Sequence, residues 1–149
     1  MLDSGLVNEV ADAIHRDPVG LWALAGTPSW DASTIARGIR GCLLNGALLW
    51  RVEVDEDPCA GLVGEGPFDP QGGSNLVVWL DPRHRGRDLG VGLVGEALRR
   101  LLTHGRTPVQ AGAPTGSYPA LRILNRLEFT YLGFSRTVPG RVRYEYRGA

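Results

Sequence analysis

The spacing of apolar side chains changes several times along this chain, and each change marks a new element. Between residues 4 and 16, Leu6, Val7, Val10, Ala11 and Ile14 recur on one helical face behind a Ser4 cap. Asp17-Pro18 ends that helix, because the residue before a proline is pushed out of the α region. A second helix is predicted over residues 31–44, with Ile35, Ile39, Cys42 and Leu43 facing inward. The period then drops to two. Leu48, Trp50, Val52 and Val54 alternate with Arg51, Glu53 and Asp55, as in a half-buried strand. Residues 55–58 turn it, residues 59–65 return as a second strand, and residues 66–74 form a glycine- and proline-marked loop. The run Leu76-Val77-Val78-Trp79-Leu80 is apolar throughout and predicts a central strand buried on both faces.

Beyond an arginine-rich turn, Leu93, Ala97, Leu98, Leu101 and Leu102 make a helical stripe. Residues 109–113 predict a short strand, and Pro119 opens a helix to about residue 127. Two strands around Val138-Pro139-Gly140 close the chain, the second alternating Val142, Tyr144 and Tyr146. The order α-α-β-β-β-α-β-α-β-β predicts an α/β (α+β) fold, a mixed sheet with helices packed on it, in one domain over residues 1–149.

Composition narrows the chemistry. No stretch approaches the roughly 20 apolar residues of a membrane span, and Met1-Leu2-Asp3-Ser4 lacks the basic start of a secretory signal. A soluble, cytoplasmic protein is expected. Cys42 and Cys59 form no CxxC pair and read as buried thiols rather than zinc or redox groups, so no metal is expected. His84, in a Pro-Arg-His-Arg turn, reads as a solvated loop side chain.

The net charge is zero, but residues 1–82 carry 12 acids and four arginines, and residues 83–149 carry four acids and 12 arginines. A basic second half suits an anionic ligand. Without a basic run interleaved with stacking aromatics, nucleic acid is not the expected partner; a phosphate-rich cofactor fits better. The acidic first half points to a cationic amine or a basic peptide as the other ligand.

The segment from Leu76 to Leu102 reads strand, Arg/Gly turn, helix. Gly86, Gly90 and Gly92 let backbone amides approach a bulky phosphate, and the first amides of the following helix carry the positive end of its dipole. Together they make an anion cradle, to which Arg85 and Arg87 add charge.

The run Leu80-Asp81-Pro82-x-x-Arg85-Gly86-Arg87-x-Leu89-Gly90, followed by an amphipathic helix, resembles the acetyl-CoA signature of the GNAT acetyltransferases, Arg/Gln-x-x-Gly-x-Gly/Ala. Two registers fit. Starting at Arg85, Asp88 stands where the first glycine is usual; starting at Arg87, Gly90 and Gly92 complete the pattern in a turn two residues longer. The spacing from Pro82 favours the first register. In either one the ligand groups are the amides from Arg85 to Gly92, Val91 among them.

Residues 117–129, from Ser117 to Phe129, are similar to the later family motif Asn-x-x-Ser-x-Arg-x-Leu-x-Lys-x-Gly-Phe, with Ser117 for asparagine and Glu128 for glycine. That form is typical of the branch that acetylates ribosomal-protein N-termini, and Ile14-His15-Arg16-Asp17-Pro18 is similar to that branch's start. The resemblance implies a GNAT-type, mostly antiparallel sheet flanked by helices, with a short or missing first strand. It implies acetyl-CoA as co-substrate and direct transfer to an amine, small or peptidic, while both ligands are bound. It places the backbone near Leu80 against the pantetheine arm and Ser117 at the cofactor. Partners expected are the amine and, as a candidate, a second copy of the chain, with neither nucleic acid nor a membrane.

For the general base, residues 70–80 hold no acid, and Glu65 is the nearest substitute, acting through a water; a solvated turn residue is the bland alternative. For the general acid, Tyr118 at the helix start is the first choice, with Tyr131 as another candidate and Tyr144 and Tyr146 read as packing residues. A GNAT-fold binding module without catalysis is the alternative reading. More distant is a dinucleotide site, because Gly90-Val91-Gly92-Leu93-Val94-Gly95 is literally GxGxxG. Nine residues separate those glycines from the strand, and residues 97–127 hold no acid to grip a ribose.

Overall fold

A computed structural model describes residues 1–25, 28–66, 74–136 and 138–148. Asp3 caps a short 3-10 turn at Ser4–Leu6 by accepting from the Gly5 amide at 2.8 Å, a role the sequence suggested for Ser4. Helix α1 (Val7–His15) follows and ends before Pro18 as predicted. Pro18 then begins a helix the periodicity did not reveal, α2 (Pro18–Ala25), because proline is pre-organised for a first helical turn. Its sequence is apolar nearly all round, so no stripe marks it. Asp31 caps α3 (Ala32–Leu44) through the Thr34 amide, 2.7 Å away.

Strands β1 (Leu49–Val54), β2 (Asp57–Glu65), β3 (Ser74–Leu80), β4 (Val109–Pro114), β5 (Thr130–Phe134) and β6 (Arg141–Tyr146) form one sheet in the order β1-β2-β3-β4-β6-β5. All neighbours are antiparallel except β3 and β4, whose connection runs through α4 (Gly90–Thr103). Helix α5 (Tyr118–Arg126) precedes β5. No strand precedes α1 among the described residues; one hydrogen bond, from the Leu2 amide to the Leu49 carbonyl at 2.8 Å, touches the edge strand β1 there. The predicted loop over residues 66–74 lies largely outside the described residues. No helix among the described residues is long and apolar enough to cross a membrane.

Alternation along the strands sorts side chains onto two faces. Leu76, Val94, Leu98, Leu101, Ala111, Ala113, Val142 and Tyr144 form a core under α4 and α5. Ile14, Leu21, Ile35, Ile39, Leu49, Leu62 and Trp79 form a second core under α1, α2 and α3. Phe129 packs on Tyr146, and Tyr131 on Tyr144, consistent with a packing role for the last-strand tyrosines. Both cysteines are free and half-buried rather than buried, and Cys59 Sγ lies 3.8 Å from a Glu9 oxygen. Burial raises both thiol pKa values above their ordinary range.

Candidate functional site

β3 and β4 pair over only three positions, Ser74 with Val109, Asn75 with Gln110 and Leu76 with Ala111. Beyond these, β3 stays on β2 as far as Leu80, and β4 stays on β6 as far as Pro114, so the two halves of the sheet part like a V. A cavity of about 540 Å³ fills the gap and reaches both faces of the sheet. Gly90, Leu93 and Ile123 line it on one side, and Leu24, Trp30 and Ile35 on the other. The gap explains why β3 is only half-buried at Val77, Val78 and Leu80, where continuous burial was predicted.

The edge that β3 offers to this gap follows from strand geometry. Neighbouring residues of a strand direct their backbone groups to opposite sides. The Asn75 carbonyl accepts from Gly66 at 2.9 Å, and the Asp81 amide donates to Ala60 at 2.7 Å; both bonds point toward β2. Leu76, Val78 and Leu80 therefore present their backbone toward β4. Leu76 meets Ala111 there, while Val78 and Leu80 lie beyond the last pair and face the cavity. The Leu80 carbonyl, one of the expected ligand groups, already accepts from Arg85 Nε at 2.9 Å. Val78 was not singled out in the sequence, where only its apolar character shows.

At the open end of the gap stands α4. Its N-cap, Leu89, makes no side-chain capping bond, and the first intrahelical bond runs from the Leu93 amide to the Leu89 carbonyl. The amides of Gly90, Val91 and Gly92 precede it and are left to a ligand or to water. Gly86 has φ 76°, and Asp88 has φ 60°. Asp88 thus holds the left-handed conformation that glycine adopts without strain and aspartate tolerates better than most residues. Ser117, the N-cap of α5, also lines the cavity and makes no capping bond of its own.

The arginines of this turn do something the sequence did not show. Arg85 forms a 2.6 Å ion pair with Asp17, which is 6% exposed and also accepts from Trp79 Nε1 at 3.0 Å and the Gly20 amide at 3.1 Å. A Cβ on Gly20 would stand 2.0 Å from that carboxylate, so only glycine fits there. Arg87 pairs with Asp55 at 3.1 Å, and Arg83 with Asp57 at 3.0 Å and Asp81 at 3.1 Å. His84 lies 2.8 Å from Asp57, and its side chain is 12% exposed, which corrects its reading as a solvated loop residue. The bond from His84 does most to hold the Asp57 carboxyl below its usual range, with Arg83 helping. Burial works to raise the Asp81 pKa, but the hydrogen bonds and charge of Arg83 outweigh it. These contacts bolt the turn to the β1–β2 hairpin and to the start of α2. They also account for part of the uneven charge of the two halves: Asp17, Asp55, Asp57 and Asp81 neutralise second-half arginines.

Glu65 sits at the closed end of the V, opposite Leu76, and is 8% exposed rather than solvated. Its carboxylate accepts from the Leu48 amide at 2.8 Å, Ser74 Oγ at 2.6 Å, and Arg106 Nε at 3.0 and 3.2 Å. A carboxylate has about four acceptor sites, and three donor hydrogens reach this one, the Arg106 Nε–H being shared between both oxygens. The carboxylate expected to act as a water-mediated base is thus engaged by structural partners, although Glu65 does line the cavity. Tyr118 is 72% exposed, on the outer side of α5, and does not line the cavity. Tyr131, the other candidate, is 53% exposed on the edge strand β5. Neither tyrosine is among the residues that line the cavity.

Two residues absent from the expected site line the cavity on the α2 side, Arg141 and Arg143. Alternation with the core residues Val142 and Tyr144 could have placed them on one face, but not shown what that face meets. Among the described residues, no cluster of His, Cys, Asp or Glu is arranged to hold a metal ion.

No protein-family model and no curated protein matches the sequence. Solved structures do match in shape. The chain is similar to the ribosomal-protein-alanine N-acetyltransferase from Brucella melitensis, with 14% identity over 99% of this chain and 97% of that one and a TM-score of 0.75. It is similar to the spermidine N-acetyltransferase from Vibrio cholerae in complex with CoA and spermine, with 13% identity, 98% and 92% coverage and a TM-score of 0.79. It is also similar to the microcin C7 self-immunity acetyltransferase MccE in complex with acetyl-CoA and AMP, with 14% identity, 98% and 89% coverage and a TM-score of 0.70. With a sheet split between β3 and β4 and a glycine-rich helix start above the split, the chain has the GNAT acetyltransferase fold.

Proposed function

We propose that the chain is an acyl-CoA-dependent N-acyltransferase that moves the acetyl group of acetyl-CoA to an amine by direct transfer. The observation that carries this reading is the V-shaped gap between β3 and β4, opening directly below the free amides of Gly90, Val91 and Gly92. The pyrophosphate lies on those amides, and the amide-bearing pantetheine arm runs into the gap as an added strand. Val78 offers it both backbone groups, and Leu80 its amide. Such an arm carries the thioester toward the closed end of the V. There a backbone N–H can stabilise the oxyanion that forms as the amine attacks the carbonyl carbon and the carbon–sulfur bond breaks. The left-handed Asp88 supports the motif register that begins at Arg85, since that register puts Asp88 at the glycine position.

Proton removal is assigned to solvent rather than to Glu65: the acceptor enters as the free amine. The Arg141 guanidinium on the cavity wall, which meets the Ala23 carbonyl, favours that form over an ammonium. The dinucleotide reading finds no support in the geometry, because among the described residues that follow α4 none lining the gap is an acid that could hold a ribose. The non-catalytic reading is separated by thiol release.

A thermal-shift comparison of acetyl-CoA, NAD and ATP tests the function. Acetyl-CoA is expected to raise the melting temperature, since a ligand held only by the folded chain stabilises it. A shift with NAD and none with acetyl-CoA overturns the proposal. Gly92→Asp sharpens the test. A Cβ at Gly92 meets nothing within 4 Å, and a carboxylate in the first helical turn is compatible with α4. It can fold back on the free amides as a capping group does. The variant is expected to fold with unchanged or slightly higher stability and to bind acetyl-CoA at least tenfold more weakly.

A further inference from the structure

Helix α2 does not hold itself in place. It has eight residues, and an isolated helix that short is marginal in water. Its buried residues, Gly20 and Leu21, both belong to the first turn. That turn is fixed by Asp17, which accepts from the Gly20 amide, Trp79 Nε1 and Arg85. The second turn lies along the cavity: Trp22 is 36% exposed, and Ala23, Leu24 and Ala25 are half-buried where they line it. The last carbonyls of a helix have no intrahelical partner and must find one elsewhere.

Arg141 supplies one. Its Nη1 donates to the Ala23 carbonyl at 2.5 Å, across 118 positions of sequence. The bond bridges the two halves of the split sheet. Helix α2 packs on β3, where Asp17 meets Trp79. Arg141 stands on β6, paired with Pro114 at the open end of β4. Gly112 leaves a lane for the side chain: Arg141 Nη2 lies 3.4 Å, and Nε 3.7 Å, from where a Gly112 Cβ would stand. The helix dipole favours a cation at that end of α2. Burial acts to lower the Arg141 pKa, yet an arginine keeps its charge near neutral pH, so the tie does not titrate there.

We propose that Arg141 is a positioning residue for the transfer: it straps the second turn of α2 across the gap and so walls the thioester from water on the α1–α3 side. The role given to the wall rests on the acyltransferase reading. Water and the amine compete for one carbonyl carbon, and transfer is productive only where the site excludes water. Helix α2 contributes Leu21, Ala23, Leu24 and Ala25 to the lining, side chains with no polar atom to lead water inward.

Two measurements on the full chain test this with Arg141→Met, which keeps an unbranched stem over Gly112 and removes the donors. The first is hydrogen exchange of the ligand-free protein. Amides of residues 22–25 are expected to exchange about tenfold faster or more, and those of residues 94–103 in α4 at unchanged rates. The second is thiol release from acetyl-CoA with no amine present. There water attacks the carbonyl carbon, the carbon–sulfur bond breaks, and acetate and CoA leave. Per molecule able to bind acetyl-CoA, release should rise about threefold or more, whereas a merely destabilised fold would lower it. Arg141→Lys, with one donor for one carbonyl, should return both readings to within about twofold of the parent. Should Arg141→Met fail to fold, Gly112→Val takes the lane of the strap and should show the same two changes. Unchanged exchange in α2 overturns the strap. Faster exchange with unchanged release overturns its part in excluding water. A lysine variant that behaves like the methionine one overturns the Ala23 bond as its means. If acetyl-CoA neither binds nor releases thiol, the acyltransferase reading falls together with the role of the wall, while the exchange result still decides the strap.

Discussion

Arg83, Arg85 and Arg87 crowd one turn at the mouth of the cleft, whereas Arg141 and Arg143 share a strand face across it. In the sequence both groups are arginines near glycines in the basic half of the chain. In the fold the arginines of the turn and Arg141 differ in what they meet. Each arginine of the turn meets a first-half acid: Arg83 meets Asp57, Arg85 meets Asp17 and Arg87 meets Asp55. Arg141 meets a backbone carbonyl. Arginines beside a glycine-rich turn are therefore not phosphate ligands by virtue of position. Here they tie the turn down, which leaves the proposed phosphate contacts to backbone amides, whose partial charge does not depend on the side chains.

Removing Arg85 puts that comparison under the greatest strain. Arg85→Ala leaves Asp17 buried without its cation and frees the Leu80 carbonyl, so a loss of about 2–3 kcal/mol in urea unfolding is expected. Acetyl-CoA affinity of the folded variant should change far less than it does for Gly92→Asp. A variant as stable as the parent that has lost acetyl-CoA binding would return Arg85 to the phosphates.

Glu65 with Arg106 extends the comparison to another neutralised arginine. Glu65→Gln replaces one carboxylate oxygen by a donor among the Leu48 amide, Ser74 Oγ and Arg106, and should cost about 2 kcal/mol in stability. With the protein held folded at low temperature, kcat is expected to fall less than about threefold. A general base would show a loss of about 100-fold or more, together with a changed pH profile.

The smallest effects belong to the exposed positions. Arg87→Ala removes a surface ion pair of the kind that contributes little, and acetyl-CoA affinity should stay within about threefold. Asp88→Asn keeps a residue that tolerates the left-handed backbone and removes one negative charge near the amides. Calorimetry at matched salt should find affinity unchanged or improved by up to about fivefold. A clear loss in Asp88→Asn matching one in Arg87→Ala would favour the register that begins at Arg87.

Local interactions wrote much of this fold into the sequence. The alternation at Leu48 to Val54, the apolar run at Leu76 to Leu80 and the stripe from Leu93 to Leu102 each predicted the element found, because burial periodicity is a property of neighbours in the chain. Helix α2 escaped because a helix apolar on every side has no stripe. The glycines of the turn announced the left-handed backbone found at Gly86, since that freedom belongs to the residue itself.

Other features depend on distant pairings, and only the tertiary structure decided them. The sequence gives β3 and β4 similar apolar character but cannot say that they part after Leu76 and Ala111, because register is set by what each strand holds on its other side. Asp17 and Arg85 stand 68 residues apart, and Glu65 and Arg106 stand 41 apart. Whether an acid is a base, a ligand or a counter-ion depends on which cation the fold brings to it. Arg141 is the converse case. Its residue type was legible from the start, but its partner, the Ala23 carbonyl, stands 118 residues away and is brought to it only by the fold.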